Sequence, residues 1–231
     1  QSGDIVTAEV PSALLKPLAN DPRVISVEAS HYGRPSMNVA RSSTALAGPI
    51  YLGTLEPGTS SFAAFDGSGV IVGVVDSGID WRNKDFVIDA SSTSRVLSIW
   101  DQLDSAGTPP SGFTYGTEWT QRQINAELGP SPPGLVKSSD TVGHGSSVAG
   151  VAAGDGSATN GSEPAGRYSG VAPAANIIMV KSDLSDARVV DGVNYLVRKA
   201  ASMGKPLVVN LSLGTYIGPK DGTSNYESAI N

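Results

Sequence analysis

Four apolar runs recur along the chain from residue 69 and predict the strands of one sheet. The first, GVIVGVVD, is continuous rather than alternating, which is typical of a strand buried on both faces. RVLSIW, NIIMV and PLVVNLSL have the same character. Between them lie segments with helical spacing: TEWTQRQINAEL with Thr117 as a candidate N-cap, HGSSVAGVAA, and DARVVDGVNYLVRKAASMG, closed by Lys199 and Gly204. This alternation predicts an α/β fold, a mainly parallel sheet with helices on both faces.

The first thirty residues have a separate and shorter pattern. DIVTAEVP and PRVISVEA have the apolar content of strands, and Leu14, Leu15 and Leu18 between them stand at helical spacing. They predict a small β-α-β unit. Residues 31–62 lose this regularity and predict a linker or a surface extension, with a boundary near residue 35.

Composition narrows the class of partner. The chain has 231 residues, 39% of them hydrophobic and 16% charged, which is a globular composition with enough length for a buried core. The formal net charge of -6 argues against nucleic acid and anionic membrane surfaces, so a protein, peptide or small-molecule partner is expected. Without cysteine there is no disulfide and no thiolate chemistry. No apolar run approaches the roughly 20 residues of a membrane span.

Two residues are candidates for chemistry, and one of them stands at the carboxyl end of a predicted strand, where an α/β sheet presents functional groups. Asp76 ends the first strand and is followed by Ser77 and Gly78, where an Asp either caps a turn or carries chemistry. His144, one of only two histidines, begins a helix. The positive end of the helix dipole favours its neutral imidazole, which can act as a base. A histidine that only hydrogen-bonds locally is the alternative.

A third segment has the features of a peptide-binding strand. VVNLSLG, residues 208–214, is apolar and ends in the small sequence Ser212, Leu213 and Gly214. An exposed strand end of this kind can pair with an extended peptide through backbone hydrogen bonds. Any buried strand that ends at glycine has a similar sequence, so this segment indicates a peptide-binding strand only in combination with the segments of Asp76 and His144.

Taken together, these segments resemble the subtilisin-like serine proteases over roughly residues 68–231. GVIVGVVDSGID is similar to the family's Asp motif, GHGSSVAGVAAG to its His motif, GVAPAANIIMVK to the strand that follows, and VVNLSLG to the strand lining the substrate cleft. RVLSIWDQ, GTEWTQRQINAEL and GPKDGTSNYESAIN further resemble the bacterial branch that includes the clostridial germination proteases. The resemblance implies a serine endopeptidase in which Asp76 orients His144, and His144 moves a proton from a serine to the leaving amine.

The resemblance also extends to the N-terminal segment. Residues 5–29 are similar to the last part of the family's inhibitory propeptide, which implies a propeptide-like remnant and cleavage region over 1–35 and the N-terminal portion of a catalytic domain over 36–231. The tail of such a propeptide would lie in the cleft against Ser212–Gly214, with processing between about Ala29 and Pro35. The alternative is a β-α-β edge of the main domain.

The triplet Gly222-Thr223-Ser224 shares three residues with the family's nucleophile motif. It follows Gly214 by only eight positions, and Asn225-Tyr226 replaces the small residues of that motif. DGTSNYESAIN is better explained as a loop entering a helix, with Thr223 or Ser224 as N-cap and Glu227 in the first turn.

We therefore expect this chain to carry Asp76 and His144 without the nucleophilic serine and the oxyanion asparagine, and to be inactive by itself. Its expected partners are a protein or peptide substrate, its own propeptide segment, and a missing C-terminal segment or second chain. The alternative is a non-catalytic relative that acts as a peptide- or propeptide-binding module.

Two expectations rest on the resemblance alone. In the family, the position of Asp85 and the loop 154–170 contribute to a calcium site, so Asp85 is a candidate ligand for a structural calcium ion, with a mobile surface loop as the alternative. No cofactor is expected for catalysis. The resemblance also implies a secreted or extracytoplasmic bacterial protein.

Overall fold

The computed structural model describes residues 6–30, 34–35, 66–88, 92–159, 165, 169–214 and 221–230. Most of the stretch 31–62, which the sequence predicts to be an irregular connection, lies outside the described residues. The strands are β1 (Arg34–Pro35), β2 (Ile71–Asp76), β3 (Val87–Ile88), β4 (Thr93–Ser94), β5 (Val96–Asp101), β6 (Thr117–Thr120), β7 (Asn176–Lys181), β8 (Leu207–Asn210) and β9 (Leu213–Gly214). The helices are α1 (Ser12–Ala19), α2 (Gln121–Leu128), α3 (His144–Ala153), α4 (Asp186–Ser202) and α5 (Asn225–Ile230), with a short 3-10 helix over Lys84–Phe86.

The central sheet has five strands in the order β6-β5-β7-β2-β8. β5, β7, β2 and β8 are parallel, and β6 pairs antiparallel with the outer side of β5. Every residue of β2 is buried, as its continuous apolar run predicts for a strand covered on both faces. The predicted α/β architecture with a mainly parallel sheet is confirmed.

Alternate residues of β2 face two separate hydrophobic clusters. Val72 and Val74 belong to a cluster shared with Ile124 of α2 and Val148 of α3. Ile71 and Val75 belong to a second cluster, on the opposite face, together with Val189, Tyr195 and Leu196 of α4. Helices therefore cover both faces of the sheet. Asp76 has the same parity as Val74, so its side chain leaves β2 on the α3 face.

The predicted helix over 117–128 is wrong in its first turn. Thr117–Thr120 is strand β6, with Thr120 opposite Ser98 of β5, and the helix begins only at Gln121. The backbone N–H and the hydroxyl of Thr120 both donate to Oε1 of Gln123, at 2.9 and 2.7 Å. Thr120, and not Thr117, therefore precedes the helix. Pairing along the free edge of β5 and burial of Trp119 outweigh the local helical pattern.

The N-terminal segment contains the predicted helix but not the two predicted strands. α1 spans Ser12–Ala19, whereas residues 6–10 and 22–30 form no strand. Val6 is 67% exposed and Ile25 is 98% exposed. A strand needs a partner for its backbone hydrogen bonds, and none of the described strands lies beside these residues, so their apolar pattern alone does not produce one.

The long helix α4 has the predicted ending. Lys199 lies in its last turn, and Gly204 follows with a φ of +63°, the left-handed conformation in which glycine closes helices. None of the described helices has both the length and the apolar character needed to cross a membrane.

Candidate active site

Asp76 occupies the carboxyl end of β2, next to the middle of the sheet. Its residue is fully buried, and its Oδ1 accepts a hydrogen bond of 2.7 Å from the backbone N–H of Ser77. β2 lies between β7 and β8; its pairing with β8 ends at Val74, whereas its pairing with β7 extends to Asp76, which lies opposite Lys181. This is the strand end at which an open α/β sheet presents functional groups.

His144 is the first residue of α3 and follows Gly143, whose φ is +83°. α3 approaches the loop after Asp76 very closely at Gly145, since a Cβ built there would lie 2.2 Å from the carbonyl oxygen of Gly78 and 3.1 Å from Cβ of Asp76. Only glycine permits this separation. The small residues that begin the helix thus bring His144 within reach of the end of β2.

The two side chains meet directly. Nδ1 of His144 lies 2.8 Å from Oδ1 and 2.9 Å from Oδ2 of Asp76. The carboxylate can only accept here, which assigns the proton to Nδ1 and leaves Nε2 with its lone pair. Nε2 is buried and has no hydrogen-bond partner among the described residues. The pair can therefore take up a proton at Nε2 while Asp76 stabilises the resulting imidazolium.

Asp140 is a site residue that the sequence analysis missed. Its Oδ1 accepts hydrogen bonds from the hydroxyl of Ser77 and from the backbone N–H groups of Val142 and Gly143, at 2.9, 3.1 and 2.8 Å. Its Oδ2 accepts from both the backbone N–H and the hydroxyl of Ser146, at 2.8 and 2.7 Å. An Asp just before a helix start is a capping signal, and that signal was present in the sequence.

The same contacts keep Asp140 ionised. Burial raises its pKa, but the hydrogen bonds donated by Ser146, Gly143 and Ser77 act in the opposite direction and together outweigh it. The net result is a pKa below the usual range for an aspartate. A carboxylate at this place also interacts favourably with the positive end of α3.

The predicted peptide-binding strand is partly regular. Leu213 and Gly214 form β9, and they pair antiparallel with Pro35 and Arg34 respectively. Ser212 precedes the strand, and its hydroxyl donates to Oδ1 of Asn210 at 2.8 Å. The backbone of residues 213–214 therefore already accommodates an extended segment of the same chain.

Ser224 lies at the start of α5 and not against His144. Its hydroxyl donates to Oε2 of Glu227 at 2.8 Å. The backbone N–H of Glu227 donates to the Ser224 hydroxyl oxygen at 3.2 Å, and the backbone N–H of Ser224 donates to Oε2 of Glu227 at 3.3 Å. This reciprocal pair is a capping box, as predicted for DGTSNYESAIN. Because Nε2 of His144 has no partner in the described part of the chain, no hydrogen bond joins it to Ser224.

The described contacts of Asp85 are to the protein itself, and residues 160–164 and 166–168 of the loop predicted to share its calcium site lie outside the described residues. Oδ1 of Asp85 accepts a hydrogen bond of 2.6 Å from the backbone N–H of Ala158. The guanidinium of Arg95, a residue only 5% exposed, donates to the backbone oxygen of Asp85 and, at 2.9 Å, to that of Ala175. Within the described ranges there is no group of three or more acidic, His or Cys side chains that could hold a metal ion.

Arg95 thus places a cation of the protein itself beside Asp85. Burial lowers the pKa of Arg95, while the charges of Asp155 and Asp85 act to raise it and so stabilise the guanidinium. Calcium at Asp85 stays a prediction from the resemblance.

Comparison with known proteins agrees with this geometry. The model of the subtilase family matches residues 67–231. The structure is similar to that of the CspB protease of Clostridium perfringens, with a TM-score of 0.59 and 31% sequence identity, over 72% of this chain and 34% of the protease. The chain thus spans about a third of that protein's length. Asp76, His144 and the mainly parallel sheet that holds them all lie in the matched region, and the chain belongs to the subtilase family.

Proposed function

We propose that this chain supplies the Asp-His half of a serine endopeptidase of subtilisin type, with Asp76 as the orienting carboxylate and His144 as the general base. The observation that supports this most strongly is the paired contact of Nδ1 of His144 with both oxygens of Asp76, at 2.8 and 2.9 Å. The contact leaves Nε2 as the free base in a buried site.

In the proposed reaction, Nε2 of His144 removes the hydroxyl proton of a serine as its oxygen bonds to the carbonyl carbon of the peptide. The same nitrogen then gives that proton to the leaving amine as the peptide C–N bond breaks. Asp76 is not protonated in either step; it holds the tautomer and stabilises the positive imidazolium between them. Water and the regenerated base then release the acyl group.

We further propose that the serine and the oxyanion asparagine come from outside residues 1–231. The capping box of Ser224 supports this, because its hydroxyl is engaged with Glu227 on α5. The outer edge of strand β8 also supports a nucleophile from outside these residues. β8 is the last strand of the described sheet, and Val208 on it is 59% exposed, so an edge is available for further chain. By itself the 231-residue chain is then inactive.

The test is the intact mass of the 231-residue chain after exposure to a serine-directed fluorophosphonate, with Ser224→Ala as a matched control. We expect no adduct on either chain. A stoichiometric adduct that disappears in Ser224→Ala would contradict the proposal and identify Ser224 as the nucleophile. In a longer protein that includes the sequence after Asn231, we expect an adduct on a later serine and its loss in His144→Ala.

Binding of an extended segment at β9 is a second function with an observation of its own. Arg34 and Pro35 pair antiparallel with Gly214 and Leu213, which is the geometry by which a peptide adds to a strand. We propose that residues up to Pro35 act as a propeptide tail in the substrate cleft, with processing between Ala29 and Pro35. If the chain is a non-catalytic relative, this binding is its function.

Contacts of the N-terminal segment support the propeptide proposal. The hydroxyl of Ser30 accepts from the backbone N–H of Ala187 at 3.0 Å, and Oε2 of Glu28 accepts from that of Asn225 at 3.2 Å. Both amides lie in the first turns of helices, α4 and α5, where backbone donors lack partners within the helix. The segment therefore satisfies two helix starts of the main domain through side chains near the proposed processing region.

A further inference from the structure

Asp140 is the residue at which the two halves of the proposed catalytic pair are joined. On one side it binds the hydroxyl of Ser77, the residue that directly follows Asp76. On the other it binds Gly143 and Ser146, which flank His144 along the chain. Asp76 itself contacts Ser77 and His144, and Asp140 is a second carboxylate, outside the pair, that is hydrogen-bonded to both the loop after β2 and the start of α3. We infer that Asp140 is a positioning residue that sets the distance between Asp76 and His144.

The start of α3 depends on contacts from outside the helix. Gly143 has no side chain with which to cap it, so the first amides of the helix need other acceptors. The amide of Ser146 donates to Oδ2 of Asp140, and the amide of Gly145 donates at 3.0 Å to the hydroxyl of Ser77. That hydroxyl in turn donates to Oδ1 of Asp140. Both acceptors therefore belong to one hydrogen-bonded unit.

A second bridge reinforces this unit. The hydroxyl of Ser146 donates to Oδ2 of Asp140 and accepts at 2.8 Å from the backbone N–H of Asp80. The loop after Asp76 is thus tied to α3 at Ser77 and again at Asp80. Both ties end on the same carboxylate. Movement of α3 relative to β2 would break several of these hydrogen bonds at once, so the contact between Asp76 and His144 is held as part of a network.

Ionisation of Asp140 is required for this role. A carboxylate offers two oxygens that both accept, and the structure uses them for five hydrogen bonds from four residues. An amide of the same size offers one acceptor oxygen and two donor hydrogens. Asp140→Asn therefore keeps the volume and loses either the bonds accepted at Oδ1, from Ser77, Val142 and Gly143, or those accepted at Oδ2, from Ser146.

The test measures the geometry of the pair rather than hydrolysis. The inference rests on the proposed function, because the distance between Asp76 and His144 matters only if they are the catalytic pair. The proton on Nδ1 of His144 nevertheless reports the contact with Asp76 whether or not the chain is active. The 231-residue chain contains only His31 and His144, so a His31→Gln background leaves one imidazole to observe by proton NMR. The parent in that background should show a downfield, slowly exchanging Nδ1–H resonance.

In the same background we expect Asp140→Asn to retain its far-UV circular dichroism, to lose the Nδ1–H resonance, and to exchange the amides of Gly145 and Ser146 about tenfold faster. The matched control is Asp66→Asn, because Oδ1 of Asp66 also closes a loop, on Ser68 at 2.9 Å, but at the other end of β2. The control should keep the resonance and the exchange rates of the parent.

A folded Asp140→Asn chain with an unchanged resonance would overturn the inference and leave the proposed function standing. A parent chain without the resonance would overturn the proposed function, and the inference with it. If Asp140→Asn does not fold, Ser77→Ala decides, because it removes only the hydroxyl between Asp140 and the loop after Asp76. Loss of the resonance in that variant supports the bridge, and retention of it contradicts the bridge.

Discussion

At the scale of single residues, two glycines of α3 occupy opposite environments. A Cβ on Gly145 would lie 2.2 Å from the carbonyl oxygen of Gly78, which is backbone and cannot rotate away. A Cβ on Gly150 would meet nothing within 4 Å outside the helix's own backbone. The first glycine is needed for the approach of α3 to the end of β2, whereas the second only lowers the intrinsic stability of the helix.

We therefore predict that Gly145→Ala lowers the free energy of unfolding by about 1–3 kcal/mol, because overpacking forces α3 away from the loop after Asp76. Gly150→Ala, in the same helix, should raise the free energy of unfolding by about 0.5–1 kcal/mol. Urea denaturation of both variants and the parent measures these differences. Equal effects of the two substitutions would contradict the close approach at Gly145.

Asp140 also predicts a pH dependence of stability. Its pKa is lower in the folded chain than in the unfolded one, so the ionised form stabilises the fold at pH values above the unfolded pKa of about 4. This stabilisation is lost as the pH falls through the folded pKa. We expect the difference in unfolding free energy between the parent and Asp140→Asn to be constant above about pH 5 and to shrink below about pH 4.

Urea denaturation of both chains at several pH values tests this expectation, and each chain carries the same remaining carboxylates, so their common titration cancels in the difference. A difference that does not narrow in acid would show that Asp140 is not held ionised by its hydrogen bonds to α3 and Ser77.

At the scale of elements, Arg95 connects segments that are distant in sequence. It follows β4, and its guanidinium reaches the backbone oxygen of Asp85 in the 3-10 helix and that of Ala175 just before β7. Substitution by methionine leaves two carbonyl groups without their charged donor in a place that is almost closed to water. Most of the lost stability comes from the two charge-assisted hydrogen bonds and from the buried carbonyl oxygens that lose a donor.

We predict that Arg95→Met lowers the free energy of unfolding by about 2–4 kcal/mol. Arg23→Met is the control, since Arg23 forms only an exposed pair with Asp21 and its loss should change stability little.

We also expect the Tm of the parent to be the same with millimolar calcium and with a chelator. A rise of Tm with calcium that is abolished in Asp85→Asn would instead place a calcium ion at Asp85.

At the scale of the whole molecule, the N-terminal segment and the main domain are held together by polar contacts. Besides the contacts of Ser30 and Glu28, the hydroxyl of Thr7 donates to Oδ1 of Asp191 at 2.9 Å, and Nδ2 of Asn225 donates to the hydroxyl of Ser26 at 2.7 Å. Together these contacts give partners to backbone amides in the first turns of α4 and α5 and to side chains on the same two helices. They do not depend on covalent continuity between the segment and the sheet.

We therefore predict that residues 1–30 remain associated with the rest of the chain after proteolytic cleavage of the stretch 31–62. Gel filtration at neutral pH, followed by mass analysis of the peak, measures this association. Separate elution of the N-terminal peptide would count against the propeptide proposal. Glu28→Gln should weaken the association, because Glu28 accepts a hydrogen bond from the backbone N–H of Asn225. Glu9→Gln should not, because the side chain of Glu9 is almost fully exposed and comes no closer than 3.9 Å to the guanidinium of Arg188.

The open edge of the described sheet predicts self-association of the isolated chain. β8 pairs only with β2 in the described part of the chain, and Val208 on it is 59% exposed. A lysine at a strand edge opposes pairing with another chain, so Val208→Lys should lower the apparent mass in light scattering. Val197→Lys is the control, because Val197 is 52% exposed but lies on helix α4, away from any strand edge. The same decrease in both variants would point to a general effect of charge.

Local signals were sufficient for the central elements and for the residues at their ends. The continuous apolar run of β2 ends at Asp76, the small residues after His144 begin α3, and Ser224 with Glu227 caps α5, as their spacing predicts. These features depend on neighbours within a few positions, which a single sequence contains. The same holds for burial of β2 on both faces, because the run is apolar at both parities.

Tertiary structure alone decided the features that depend on pairing between distant segments. Thr117–Thr120 is a strand because the edge of β5 is available to it, and residues 22–30 are not a strand because no described strand lies beside them. Asp140 joins Ser77 and Ser146 across 63 positions on one side and six on the other. The sequence by itself determined the positions of Asp76 and His144 at the ends of their elements. The fold determined which carboxylate is hydrogen-bonded to both elements, because hydrogen bonds between remote segments leave no periodic signal in either one.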